Sequence, residues 1–143
     1  MKVLQRFIGD WTCEATHPQM KGVITGTASF AWLGSEKFVV WRSHIDHPDV
    51  PDGMSVLGDC AHATAEAKEP AKWQMHYFDT RGVYRLFEAR LDSDGFEVVR
   101  EDDAWPQRFR CVLADGDQRI DMTTQLRKDG RWVDDLKMTL RRR

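Results

Sequence analysis

The sequence has little net charge, few cysteines and no long apolar run, and each shortage removes a class of protein. Its 143 residues carry a formal net charge of −2, so the basic surplus of a protein that neutralises nucleic-acid phosphates is missing, and no nucleic-acid partner is expected. The three cysteines, Cys13, Cys60 and Cys111, are odd in number and far apart, and they form no CxxC or other metal-type spacing. They read as small buried hydrophobes in a reducing compartment. The opening MKVLQRFIGDW has only a short, interrupted apolar stretch, too short for a signal-peptide core, and no later run approaches a membrane span. A cytoplasmic protein without a membrane partner is therefore expected.

Internal repeats, low-complexity tracts and linkers are also missing. A chain of this length suits one domain, 1–143, which buries roughly 70% of its unfolded surface without staples. Hydrophobic residues make up 41% and charged residues 31%, the balance of an ordinary globular protein.

Short segments rich in β-branched and aromatic residues recur along the chain, divided by Gly, Asp and Pro at near-regular spacing. Val3, Leu4, Phe7 and Ile8 have helical spacing and Gly9 stops the run, which predicts a short helical turn plugging one end of the fold. Strands are expected at 11–17, 22–33, 37–46, 54–61, 72–78, 83–91, 96–101, 107–113, 118–127 and 131–141. The segment 47–53, with two prolines and a glycine, reads as a loop, and so does 63–68 ahead of Pro70. Tight turns fall at Asp79–Gly82, Asp92–Gly95, Ala114–Asp117 and Lys128–Gly130. The predicted fold is all-β: an antiparallel up-and-down barrel of about ten strands, which removes free edges by closing on itself. An open sandwich is the alternative.

The order Phe7-Ile8-Gly9-Asp10-Trp11 before the first strand resembles the F-x-G-x-W opening of calycin barrels. These include the lipocalins, the fatty-acid-binding proteins and nitrobindin-like haem proteins, and the chain is most similar to small bacterial lipocalin-like domains. The resemblance implies that Gly9 and Trp11 close the base of the barrel. It also implies that a basic residue late in the last strand, Arg141 or Arg142, packs across the indole; Arg141 is the one assigned here. Two family features are missing. The last strand, Leu136 to Arg143, has no tyrosine for a fatty-acid carboxylate clamp. No histidine follows His76 to hold haem from a late strand.

Strand alternation sends one set of side chains inward, but strands three, five and six carry apolar residues on both faces. Trp41, Trp73, Met75, Tyr77, Phe87, Phe109 and Met138 are the candidates for the inner wall, and His76 is the histidine most suited to touch a ligand. Such a wall would take a flat or oily small molecule. Packing alone would also explain it, because small barrels often fill their own interiors.

His44 with Asp46 and Cys60 with His62 are i,i+2 pairs of metal-binding types, but such pairs arise by chance, and no metal or cofactor is assigned. Cys60 with His62 or His76 is the only nucleophile–base pairing, and it lacks a glycine elbow. Glu101-Asp102-Asp103 and Asp134-Asp135 read as solvated charge, and Gly22-x-x-x-Gly26 lacks the Lys and Ser/Thr of a phosphate loop. The expected function is binding of a small hydrophobic or aromatic molecule. The alternatives are a small enzyme using the same cavity, or a ligand-free structural protein that dimerises through an outer sheet face.

Overall fold

Segments whose apolar residues alternate with polar ones pair into one sheet with a wet and a dry side. In the computed structural model, which describes residues 2–61, 72–101 and 104–143, ten such segments form a closed antiparallel barrel. They are β1 (Gly9–Thr16), β2 (Ile24–Trp32), β3 (Phe38–Ile45), β4 (Gly53–Cys60), β5 (Lys72–Asp79), β6 (Tyr84–Leu91), β7 (Gly95–Arg100), β8 (Gln107–Ala114), β9 (Arg119–Lys128) and β10 (Arg131–Arg142). Every strand pairs with its sequence neighbours, and β1 pairs with β10, so the predicted up-and-down barrel is the observed one and the open sandwich is not. The expected strand limits agree to within a few residues. The loop read at 63–68, and with it His62, lies outside the described residues, as do Asp102 and Asp103.

The turns follow from their residues. Asp129 and Gly130 both have positive φ, 51° and 74°, the two-residue geometry that matches the twist of flanking strands. The predicted N-terminal turn is a single helical turn, α1 (Lys2–Gln5). Leu4 and Phe7 reach into the barrel beneath it and are fully buried. An ion pair from Arg6 to Asp117 at 2.7 Å ties α1 to the turn before β9.

The base is filled with aromatic rings. Phe7 packs on Phe30 at 5.5 Å and on Phe96 at 5.2 Å, and Phe30 stacks on Trp41 at 5.1 Å. Burying a side chain of this size is worth about 1.5–3 kcal/mol, so this plug anchors the closed end. Trp11 is also fully buried, and its indole N–H donates to Phe7 O at 2.9 Å.

Barrel closure corrects one assignment. Trp11 lies opposite Arg142 in the β1–β10 register, and the Arg142 guanidinium carbon sits 4.2 Å from the indole centroid. Arg141, assigned to this role from the sequence, is exposed on the outer face. Alternation explains the choice: Met138 and Leu140 are buried, and Arg142 shares their parity. Arg142 also donates to the carbonyls of Arg6 at 2.7 Å, Ile8 at 2.9 Å and Asp117 at 3.1 Å. Gly9 is required beside it. Its φ is +140°, and a Cβ there would lie 2.7 Å from Arg142 Nη1.

On the outside, Phe78, Tyr84 and Leu86 remain exposed on neighbouring β5 and β6, with Phe78 and Tyr84 rings 5.1 Å apart. No helix among the described residues is long and apolar enough to cross a membrane.

Arg142→Met should lower stability by about 2–3 kcal/mol, because it strips charged hydrogen bonds from three carbonyls. Arg141→Met should change it by no more than about 0.5 kcal/mol. Urea unfolding of the two variants beside the parent chain measures both.

Candidate functional site

Because the aromatic plug fills only the base, the opposite end of the barrel holds a cavity of about 230 Å³. That is at the small end for a ligand pocket and enough for a compact ring system. The cavity opens beside Val50, Pro51, Arg81 and Trp105. Its apolar wall includes Trp41, Ile45, Phe109, Met122 and Met138, with Val50, Pro51 and Trp105 near the mouth.

Of the residues singled out from the sequence, Trp41, Tyr77, Phe109 and Met138 line this cavity. Met75 and Phe87 also point inward, but they are fully buried in the core below it, with Phe87 packed on Phe109 at 5.1 Å. Trp73 is half-buried and packs against the same core. His76 is not brought to the cavity. It alternates with inward Met75 and Tyr77, and its Nδ1 lies 2.9 Å from the Tyr84 hydroxyl on the outer face. Cys60 lies at the other end of its strand, where its thiol donates weakly to Gly58 O at 3.5 Å; burial and nearby Asp59 push its pKa up.

His44 faces outward too and pairs with Asp52 at 2.6 Å instead of sharing a ligand with Asp46. Among the described residues, no three His, Cys, Asp or Glu side chains gather in a way that could hold a metal ion.

The cavity also has polar groups that the sequence reading missed. Ser43, Ser55, Gln107 and Thr124 line its wall, and Arg81, Arg85 and Asp135 stand at its rim. Arg85 was legible in principle, because alternation puts it on the same face as buried Phe87 and Ala89. Asp135 was not. Between Asp134 and Lys137 the β9–β10 register shifts, so Asp135 and Leu136 together face Thr124. This bulge brings two consecutive residues to the cavity, and Thr124 Oγ1 holds it by donating to Leu136 O at 2.6 Å.

Most charges at the rim are already paired. Backbone N–H of Gln19 donates to His17 Nδ1 at 3.1 Å, which leaves the Nε2 proton to donate to Asp135 at 2.6 Å. Asp135 is therefore not the free solvated charge expected from the sequence, whereas Asp134 bonds outside to Gln125 and Lys137. Asp79 accepts from the Tyr77 hydroxyl at 2.8 Å and from Arg81 at 2.7 Å. Burial would raise the Asp79 carboxyl, but the hydrogen bonds from Arg81 and Tyr77 outweigh it and hold the pKa at about 2. Burial, followed by the hydrogen bond to Asp79, pushes the Tyr77 phenol up to about 12, so Tyr77 stays a neutral donor.

Two polar groups stand apart. The Trp41 ring lines the cavity, but its indole N–H is closed off and has no acceptor among the described residues. The indole N–H groups of Trp11 and Trp32 do have one, Phe7 O and Gln5 Oε1. Arg85 rests over the rings of Tyr77 at 5.9 Å and Trp105 at 5.6 Å. Its hydrogen-bond partner is the neutral Gln107 Oε1 at 3.4 Å.

In comparison with known proteins, the chain matches no family model and no curated relative. The fold and the site's own chemistry carry the functional reading.

The Asp79 pairing gives an acid-side prediction. Its folded pKa lies below the ordinary 3.8, so its contribution is present above about pH 4 and is lost as pH falls through about 2. Stability measured by urea unfolding across that window should fall, and Asp79→Asn should flatten this part of the profile.

Proposed function

We propose that this chain is a small-molecule binding protein with a calycin-like barrel, taking a compact, flat and largely apolar ligand into the cavity at its open end. The observation that carries this reading is the cavity itself, a space at the open end that the chain leaves unfilled and lines largely with Trp41, Phe109, Met122 and Met138. The lining supports the same reading: aromatic and thioether surface gives affinity, and a few hydroxyl and amide groups give orientation.

The calycin part of the proposal rests on the Gly9-x-Trp11 opening, the closed up-and-down barrel and the arginine over the base tryptophan. Neither His76 nor Cys60, the groups an enzymatic reading would need, lines the cavity. The ligand-binding reading therefore places its contacts on Trp41, Tyr77, Phe109 and Met138 and leaves His76 out.

Titration with a panel of small fused-ring aromatics should perturb tryptophan fluorescence, and native mass spectrometry should show one molecule bound per chain. Trp41→Leu removes the ring face from the wall, and its affinity for fused-ring compounds should fall by roughly three- to tenfold, the worth of one ring–ring contact. A chain that retains nothing and shows no spectral change across the panel would be a barrel without a ligand.

A further inference from the structure

One arginine at the rim is left without an ion-pair partner, and it specifies the ligand further. There Arg81 is held by Asp79 and Asp135 accepts from His17, while at the closed base Arg6 pairs with Asp117. Arg85 points into the barrel, is half-buried, and forms no ion pair with any carboxylate among the described residues. Its surroundings show in its acidity. The guanidinium pKa values of Arg6, Arg81 and Arg119 are raised by their carboxylate partners, whereas burial lowers that of Arg85. A cation drawn partly out of water without a counter-ion is disfavoured unless something else compensates it.

Arg85 is nevertheless held in place. Tyr77 lies opposite it in the β5–β6 register, and the Tyr77 hydroxyl is tied to Asp79, which is tied in turn to Arg81. Its guanidinium therefore lies over a ring that cannot swing away, with Trp105 as the second ring. This is a preset cation at the rim of a largely apolar cavity.

We propose that the ligand is an aromatic monocarboxylate, its carboxylate set on Arg85 and its ring system lying against Trp41, Phe109 and Met138. The assignment rests on the binding reading above and deepens it. One charge fits better than two, because of the two arginines that line the cavity Arg81 is already paired with Asp79, and Asp135 on the same rim would repel further negative charge. A carboxylate also matches the planar fork of arginine. The cavity volume suits a compact ring system.

The test uses two probes of nearly the same shape, naphthoate and the uncharged naphthamide, titrated calorimetrically into the full chain. Naphthoate should bind at least about tenfold more tightly than naphthamide, a difference of about 1.4 kcal/mol, and the advantage should shrink as salt is raised. Arg85→Met should bring both probes to the naphthamide level. Arg85→Gln, which keeps hydrogen-bond donors but no charge, should do the same and serves if the methionine variant folds poorly. Arg85→Lys should keep part of the preference. Arg90→Met, a change at an exposed arginine of the same strand, should alter neither affinity.

Equal affinity for the two probes, or a naphthoate preference that survives both Arg85→Met and Arg85→Gln, overturns the carboxylate assignment and leaves the cavity reading standing. The same holds if neither probe binds while neutral aromatics of the earlier panel do. Failure of every compound, charged and neutral, overturns both.

Discussion

The pairing of the first strand with the last, clasped by Arg142 over Trp11, is the constraint on which the rest of the barrel depends. A ten-strand meander leaves β1 and β10 as raw edges, each a row of unmet backbone donors and acceptors. Joining them satisfies both and forces each strand to commit one face to the interior. Arg142 stabilises the joint from inside, donating to carbonyls of the N-terminal turn and of the turn before β9 while its flat guanidinium covers the indole. Gly9 is part of the same device, since a side chain there would meet the guanidinium.

Once closed, the barrel divides into two halves of opposite character. The base is packed with Leu4, Phe7, Trp11, Phe30 and Phe96, all buried, and its one indole donor is satisfied by Phe7 O. The open end has fewer bulky inward residues and more small polar ones, Ser43, Ser55 and Thr124, so the space there is not filled by the chain. Trp41 stands at the border. It stacks on Phe30 on the base side, and it lines the cavity on the other. The arginine without an ion-pair partner, Arg85, belongs to the open half, which is why the chemistry of the molecule concentrates there.

Much of the architecture was legible in the amino-acid order. Asp-Gly turns and β-branched runs marked the strands, because hairpin turns with positive φ and pleated, half-buried faces each demand particular residues. The G-x-W opening pointed to the base tryptophan. The site was harder to read. His76 drew attention because imidazole is chemically versatile, yet parity with Met75 and Tyr77 puts it outside. Arg141 and Arg142 are identical in type, and only their parity with buried Met138 and Leu140 separates them. Arg85 could have been found as an arginine sharing a face with Phe87 and Ala89, had the apolar Tyr84 and Leu86 on the other face not obscured which side was dry.

The order of residues by itself determined the number of strands, their turns, the antiparallel meander and the aromatic supply, because all of these arise from local propensity and short-range spacing. Only the tertiary structure decided which face of each strand looks inward, since apolar residues sit on both faces of several strands and closure chooses between them. It also decided that a bulge in β10 brings Asp135 to the rim, that the arginine over Trp11 is Arg142, and that Arg85 meets two rings and no carboxylate among the described residues. Those outcomes depend on register between strands far apart in the chain, and register is a property of the closed sheet.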